Sequence, residues 1–289
     1  MPFSAGLRHD GPVVGPLRRR VPGAVSALSA DLVRGPLVRA TVLGSHAPGL
    51  YLDVAGAVVP VVTADAVPLA TAVRLAVASA DAPWRGLAAG DVVLVGEGLI
   101  RLPGCDIAAV RTWRPARVRP VTHEPHSLHS SHMHSSHVHS SDRPTRAQAE
   151  RCVAALIGRG PGLTPAGDDA LAGILLVAHA HGVAGAVAAA VRALLTSTTA
   201  VSAALLDAAA DGYAAAEVVA LVDAAVAGDP AAVARALPAV LAIGHTSGSD
   251  LVIGVSAALR HVRPLRQLGH LGQTPTSTTH TTPIGWSAA

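Results

Sequence analysis

Hydrophobic and polar residues change their rhythm midway along the chain. From Leu37 to about Arg119 apolar residues come in short runs, at 37–46, 49–56, 57–65, 72–79, 91–98 and 108–118, with Gly, Pro or Asp between them. Several short strands at regular spacing with turn residues between them predict a compact β barrel or sandwich. Pro60 inside one run predicts an edge or a bend. From Thr145 the apolar period lengthens to that of a helix, over 145–157, 165–181, 183–195, 199–213, 215–227, 230–242 and 248–262. Asp229-Pro230 reads as a cap followed by Pro at the first helical position, and Gly182, Gly212 and Gly228 mark helix ends. The expected fold class is α+β, with an N-terminal β-barrel or sandwich-like domain followed by an all-α helical array whose neighbours are mostly antiparallel.

Composition sets the boundaries. Residues 1–25 are rich in Gly, Pro and Arg and read as a flexible lead-in to a β-rich domain over 26–120. Residues 121–144 are dominated by Ser and seven histidines between His123 and His139, and read as a disordered linker. Imidazole binds Zn or Ni, but this spacing matches no tetrahedral cage, so metal affinity there is expected to be adventitious. The helical domain is expected over 145–266, with a disordered tail from 267 to 289. Half the residues are hydrophobic but only 2% are aromatic, so the core must be Ala, Val and Leu packed closely.

Charge and cysteine content exclude several classes. All 22 basic residues are arginine, yet only Arg18, Arg19 and Arg20 cluster tightly, which reads as a solvated arm rather than a nucleic-acid contact. Cys105 and Cys152 are too few for a disulfide framework. Cys152 falls in an apolar helix stripe, where burial would make it inert. A cytoplasmic location is expected. The uncharged stretch from Ala170 to Val191 is Ala/Gly-rich and broken by His179, His181 and Gly182, so it reads as two buried helices rather than a membrane span.

Candidate chemistry gathers in Leu156–Gly173, where one helix breaks into a turn holding Gly158, Gly160, Pro161 and Gly162 and another begins, with Thr164 expected to cap it and Pro165 at its first position. Such a turn aims backbone amides at an anion, and Arg159 adds a cationic donor. Asp168 and Asp169 follow at once. They would repel an anion unless Mg²⁺ or an arginine lay between, or unless one were protonated or turned into backbone hydrogen bonds. The grammar recurs in Ile243–Gly254: Gly167-x-Asp169-x-x-x-Gly173 has the same offsets as Gly248-x-Asp250-x-x-x-Gly254. Asp and Gly four apart share a helix face, and a bare Gly lets another backbone approach. The two helix N-termini are therefore expected to converge on one pocket. Asp168, Asp169, Asp250 and His245 are the candidate catalytic groups. Arg159, Gly160, Gly162, Thr164, Gly167, Thr246, Ser247 and Gly248 are the candidate ligand contacts, and Asp168 with Asp169 the candidate Mg²⁺ ligands. His245 could protonate a leaving group, whereas Thr246 and Ser247 equally serve as caps. No activated nucleophile is evident.

The block GPGLTPAGDD followed by LAG, then TTAVSAALLDAAADG at 198–212 and IGHTSGSDLVIG at 243–254, resembles a bacterial family long described only as a domain of unknown function. One member of it is the third subunit of oxamate carbamoyltransferase, from anaerobic allantoin degradation. The resemblance covers 156–255. It implies purine or ureide catabolism, a small anionic substrate such as oxamate or carbamoyl phosphate, and other subunits of a carbamoyltransferase-like complex. Two other readings stand beside it: a non-catalytic ligand-sensing or scaffold subunit, and a metal-handling protein centred on the histidine tract.

Overall fold

The computed structural model describes residues 18–121 and 145–270, with 262–270 described by backbone alone. The histidine tract, most of the expected lead-in and the residues after 270 lie outside the described residues.

The first domain is a closed barrel of eight strands: β1 (Arg19–Ser26), β2 (Val38–His46), β3 (Gly49–Val54), β4 (Ala57–Val62), β5 (Val73–Leu75), β6 (Val92–Gly96), β7 (Leu99–Arg101) and β8 (Cys105–Trp113). A short helix, α1 (Ala30–Arg34), follows β1. Spatial order is β1-β5-β4-β3-β2-β6-β7-β8, closed by parallel pairing of β1 with β8. Alternation supplies the interior: Val21, Val25, Val42, Leu50, Leu52, Val59, Val61, Ile100 and Ile107 are all buried.

Two expectations need correction here. β1 begins at Arg19, inside the span read as lead-in, and Arg18 forms an ion pair with Asp106 at 3.3 Å instead of belonging to a free arm. The arginines and Pro22 disguise an alternation in which only Val21, Ala24 and Val25 carry the apolar signal. Pro60, expected at an edge or a bend, lies within a strand of the closed barrel at a position with no paired residue on its β5 side. It pairs with Tyr51 on β3, and β5 meets β4 only from Val61 onward, so the missing amide falls beyond the end of the shorter neighbour.

The chain leaves the barrel through β9 (Ala116–Arg117), which pairs antiparallel with β10 (Tyr213–Ala214) of the helical domain. Next to it, the Val118 amide donates to the Gly212 carbonyl at 2.9 Å and the Val121 amide to Ala180 at 2.8 Å. Arg119 bonds Asp223 through both its backbone amide and its Nε, each at 2.9 Å. The exit strand is thus sewn into the helices.

The helical array comprises α2 (Arg146–Leu156), α3 (Ala166–Ala180), α4 (Gly185–Ala193), α5 (Ala200–Ala210), α6 (Ala216–Ala227), α7 (Pro230–Leu241) and α8 (Ser247–His270). Capping follows the sequence. Thr145 and Gln148 form a reciprocal capping box on α2, and Asp229 accepts from the Ala232 amide ahead of Pro230 on α7. The core contains Ala, Val, Leu and Ile and no aromatic ring among the described residues, as the composition requires.

The most intimate helix pair is α3 with α8. A Cβ placed on Gly254 would overlap the Ala170 carbonyl oxygen, and one on Gly173 would lie 2.8 Å from the Val255 amide nitrogen. The repeated Gly is thus a crossing point, each glycine admitting the other helix's backbone. Gly167 and Gly248 repeat the device nearly two turns earlier, packed against the carbonyls of Leu156 and Val240.

Gly254→Ala should lower the free energy of unfolding by about 1–3 kcal/mol or more, because backbone rather than a flexible side chain must move. Gly185, whose Cβ would meet open space in α4, provides the contrast: Gly185→Ala should be neutral or stabilising by up to about 1 kcal/mol. Urea unfolding of both variants reads the difference.

Candidate functional site

The crossing of α3 and α8 brings their N-termini together. Thr164 Oγ1 and Ser247 Oγ lie 3.0 Å apart, joining residues 83 positions apart in sequence. Thr164 does not cap α3: Pro165 occupies the N-cap position and the helix begins at Ala166, which frees the Thr164 hydroxyl to reach across. Ser247 is the first residue of α8 and the other half of that contact.

The glycine turn is held from below. Gly158 has φ +68°, and a Cβ there would overlap the Ser197 carbonyl, so the turn can lie against the segment before α5 only with glycine at this point. Thr199 caps α5 through the Ser202 amide at 3.1 Å and donates to the Leu163 carbonyl at 2.5 Å, tying that segment to the turn. With the Gly158 amide also engaged, the amides of Gly160, Gly162, Leu163 and Thr164 donate to no protein acceptor among the described residues. Gly160 and Gly162 are exposed, and Leu163 and Thr164 are half-buried.

The adjacent carboxylates have opposite fates. Asp168 is 1% exposed, and both its oxygens are committed: Oδ1 accepts from the Gly158 amide at 2.7 Å, and Oδ2 from the Thr198 hydroxyl. It is the group that fixes the turn. Asp169 Oδ2 is buried with no hydrogen-bond partner among the described residues. Burial is the main cause that pushes the Asp169 carboxyl up to about 7. Asp250 and Asp168 nearby push the same way, while the Ser247 and Thr164 hydroxyls pull down without closing a hydrogen bond on Oδ2.

The remaining expected residues sort by position. Asp250, half-buried in the first turn of α8, is close enough to raise the Asp169 carboxyl electrostatically. Gly167 and Gly248 are packing points whose amides are used internally, on the Arg159 carbonyl at 2.9 Å and the Ile243 carbonyl at 3.1 Å. The Thr246 carbonyl accepts from the Asp250 amide at 3.0 Å. Arg159 and His245 are exposed on the turns leading into α3 and α8. Cys152, expected to be buried, is exposed on α2.

A divalent cation fits this donor set poorly. Asp168 is spent on the turn, leaving Asp169 and Asp250, and no group of three His, Cys, Asp or Glu side chains is arranged to hold a metal among the described residues. A cavity of about 130 Å³ lies elsewhere, against the barrel, with Arg19, Trp84, Arg85 and Cys105 in its wall. Burial pushes the Cys105 thiol up, and it donates to the Pro83 carbonyl at 3.4 Å, so this cavity presents no activated group. Sequence reasoning missed Thr198 and its bond to Asp168; nothing local in the sequence distinguishes it from Thr199 beside it.

Because the Asp169 carboxyl holds its proton more tightly folded than unfolded, its contribution to stability is full below 3.8, its ordinary value, and is lost as pH rises to about 7. Asp169→Asn cannot ionise. Its thermal midpoint should therefore gain on the wild type progressively from pH 4 to pH 7 and hold that gain above, as differential scanning fluorimetry across pH would show.

No helix among the described residues is long and apolar enough to cross a membrane. No solved structure matches the chain. Residues 156–259, which run from the end of α2 through the glycine turn to the middle of α8, match the family model of oxamate carbamoyltransferase subunit AllH, the family that the motifs resemble.

Proposed function

We propose that this chain is the small-anion-binding subunit of an oxamate carbamoyltransferase-like complex, in purine or allantoin nitrogen catabolism, and that it binds oxamate, carbamoyl phosphate or a related ureide-derived acid where α3 and α8 begin. The observation that carries the reading is the orphaned, buried Oδ2 of Asp169 beside a turn with four unspent amides. A buried polar atom without a partner is costly, and native proteins keep few of them. A ligand oxygen admitted by a shift of the Thr164 and Ser247 side chains would supply the partner, with a neutral Asp169 donating its proton to the hydrogen bond while the turn's amides hold the charge.

This arrangement answers the repulsion that two adjacent acids would otherwise exert. Asp168 is turned toward an amide and a hydroxyl that it accepts from, and Asp169 carries its own proton up to about pH 7. In transfer of a carbamoyl group, donors aimed at the carbonyl oxygen stabilise the charge that develops there. A carboxyl poised near 7 can give a proton to the leaving group and recover it at neutral pH. Asp250 favours the protonated state of Asp169. Arg159 and His245 are exposed on the two turns that lead into α3 and α8. No step needs Mg²⁺, since the proton on Asp169 occupies the role the cation would have filled.

Calorimetric titration of the chain with oxamate should give an affinity that falls as pH rises past about 7, where Asp169 ionises and repels the ligand. Affinity that is flat from pH 6 to pH 8 would remove Asp169 from the site. The same titration should be indifferent to millimolar Mg²⁺ or to chelator, and a tenfold gain with Mg²⁺ would restore the cation. Asp169→Asn should bind oxamate without pH dependence yet lose transfer in a complex reconstituted with partner subunits. Undiminished transfer would make the chain a ligand-sensing subunit instead.

A further inference from the structure

The glycine turn does not face open solvent alone, because the barrel comes up against it. A register shift in β2 between Val42 and Gly44 reverses the alternation, so that Gly44 pairs with Tyr51 and His46 with Gly49 on the outer face of the β2–β3 pair. A Cβ on Gly44 would sit 3.7 Å from Leu163 Cδ1, 3.8 Å from His46 Nε2 and 3.9 Å from Tyr51 Cδ2. One point on the barrel surface is thus shared by a residue of the glycine turn, an imidazole nitrogen and a phenol ring.

His46 is held more firmly than an exposed histidine needs to be. Its carbonyl accepts from the indole nitrogen of buried Trp84 at 2.7 Å, fixing its backbone from inside the barrel. Its ring meets Tyr51 edge-on, with centroids 6.5 Å apart and planes at 72°. Tyr51 itself lies across Gly49, where a Cβ would be 3.6 Å from the phenol oxygen. With all this support, the imidazole nitrogens make no hydrogen bond among the described residues, and the side chain is exposed. An exposed imidazole whose backbone is fixed and whose ring edge meets a phenol, with no bond of its own, contributes little to stability. The same cost is expected where a group is pre-positioned for a ligand.

We propose that His46 is the barrel's contribution to the ligand site, its Nε2 hydrogen-bonding the end of the small anion that the 158–164 turn does not reach. The inference rests on the reading of the site given above and narrows the ligand class: a short molecule with acceptor oxygens at both ends, as in a carboxylate joined to an amide or an acyl phosphate. It also gives the barrel a task, since the ligand would then be gripped between the two domains.

The test is calorimetric titration of the full chain with sodium oxamate, comparing wild type, Asp169→Ala, His46→Ala and His46→Gln. The expected result is binding by wild type, loss of affinity in Asp169→Ala, and about a tenfold or greater loss in His46→Ala, the usual worth of a hydrogen bond to a charged group. His46→Gln, which keeps a donor at the same reach, should recover to within about threefold of wild type. The unliganded thermal midpoints of both His46 variants should match wild type, because the side chain is exposed and unbonded. Equal affinity of wild type and His46→Ala, with Asp169→Ala weakened, overturns the role of His46 and leaves the site standing. A wild type that does not bind oxamate overturns both.

Discussion

The contact between two helix backbones at Gly173 and Gly254 governs the rest of the helical domain. Neither helix has a side chain at the crossing, so α3 and α8 approach until the Ala170 carbonyl and the Val255 amide occupy the space where a Cβ would be. At that separation the first turns of both helices lie side by side, and short side chains such as Thr164 and Ser247 can meet. Larger residues at the crossing would hold the helices at the ordinary 8–10 Å and part the two hydroxyls. The proximity of Asp169 and Asp250 is a consequence of the same crossing, and so is the burial that raises the Asp169 carboxyl.

This explains why part of the site was legible in the sequence. The offsets of Gly and Asp in the two motifs encode a shared face within each helix, and the crossing at those glycines brings Asp250 near enough to act on Asp169. Helix positions were legible for the same reason, since Ala, Val and Leu recur at helical spacing with glycines at the ends. What did not follow is contact that depends on a third element. Asp168 and Asp169 are indistinguishable by type and position, yet only Asp168 lies over Thr198 and the Gly158 amide, a fact set by the packing of α5. Thr164 looked like a cap because a hydroxyl just before Pro at a helix start suits that role, but Pro165 takes the N-cap position and the hydroxyl meets Ser247 instead.

In the barrel, legibility failed where elements were short or unlike their type. β7 has three residues between Gly98 and Pro103-Gly104, too few to show an alternation, and β1 opens with two arginines. Barrel closure needs both, because β1 and β8 pair in parallel and seal the sheet. The place of His46 was equally hidden. Its relevance arises only from a one-residue bulge in β2 that turns Gly44 and His46 outward, and from a helical domain more than a hundred residues further on that sets Leu163 against them.

The internal likeness between the two helix-turn-helix units is imperfect, and the imperfection assigns their roles. Where α3 has Asp168, α8 has Ser249, which is exposed and carries no turn. The segment ahead of α8 holds one left-handed glycine, Gly244, whereas that ahead of α3 holds three, each turning an amide or a carbonyl away from helical use. A buried carboxylate bonded to the Gly158 amide stiffens the first turn; nothing equivalent stiffens the second. Rigid amides bind an anion better than mobile ones, because no ordering remains to be done when the ligand arrives. On the reading proposed above, the unit built from α2 and α3 would be the one that holds the ligand, while Asp250 at the start of α8 adds its charge to the burial that raises the Asp169 carboxyl.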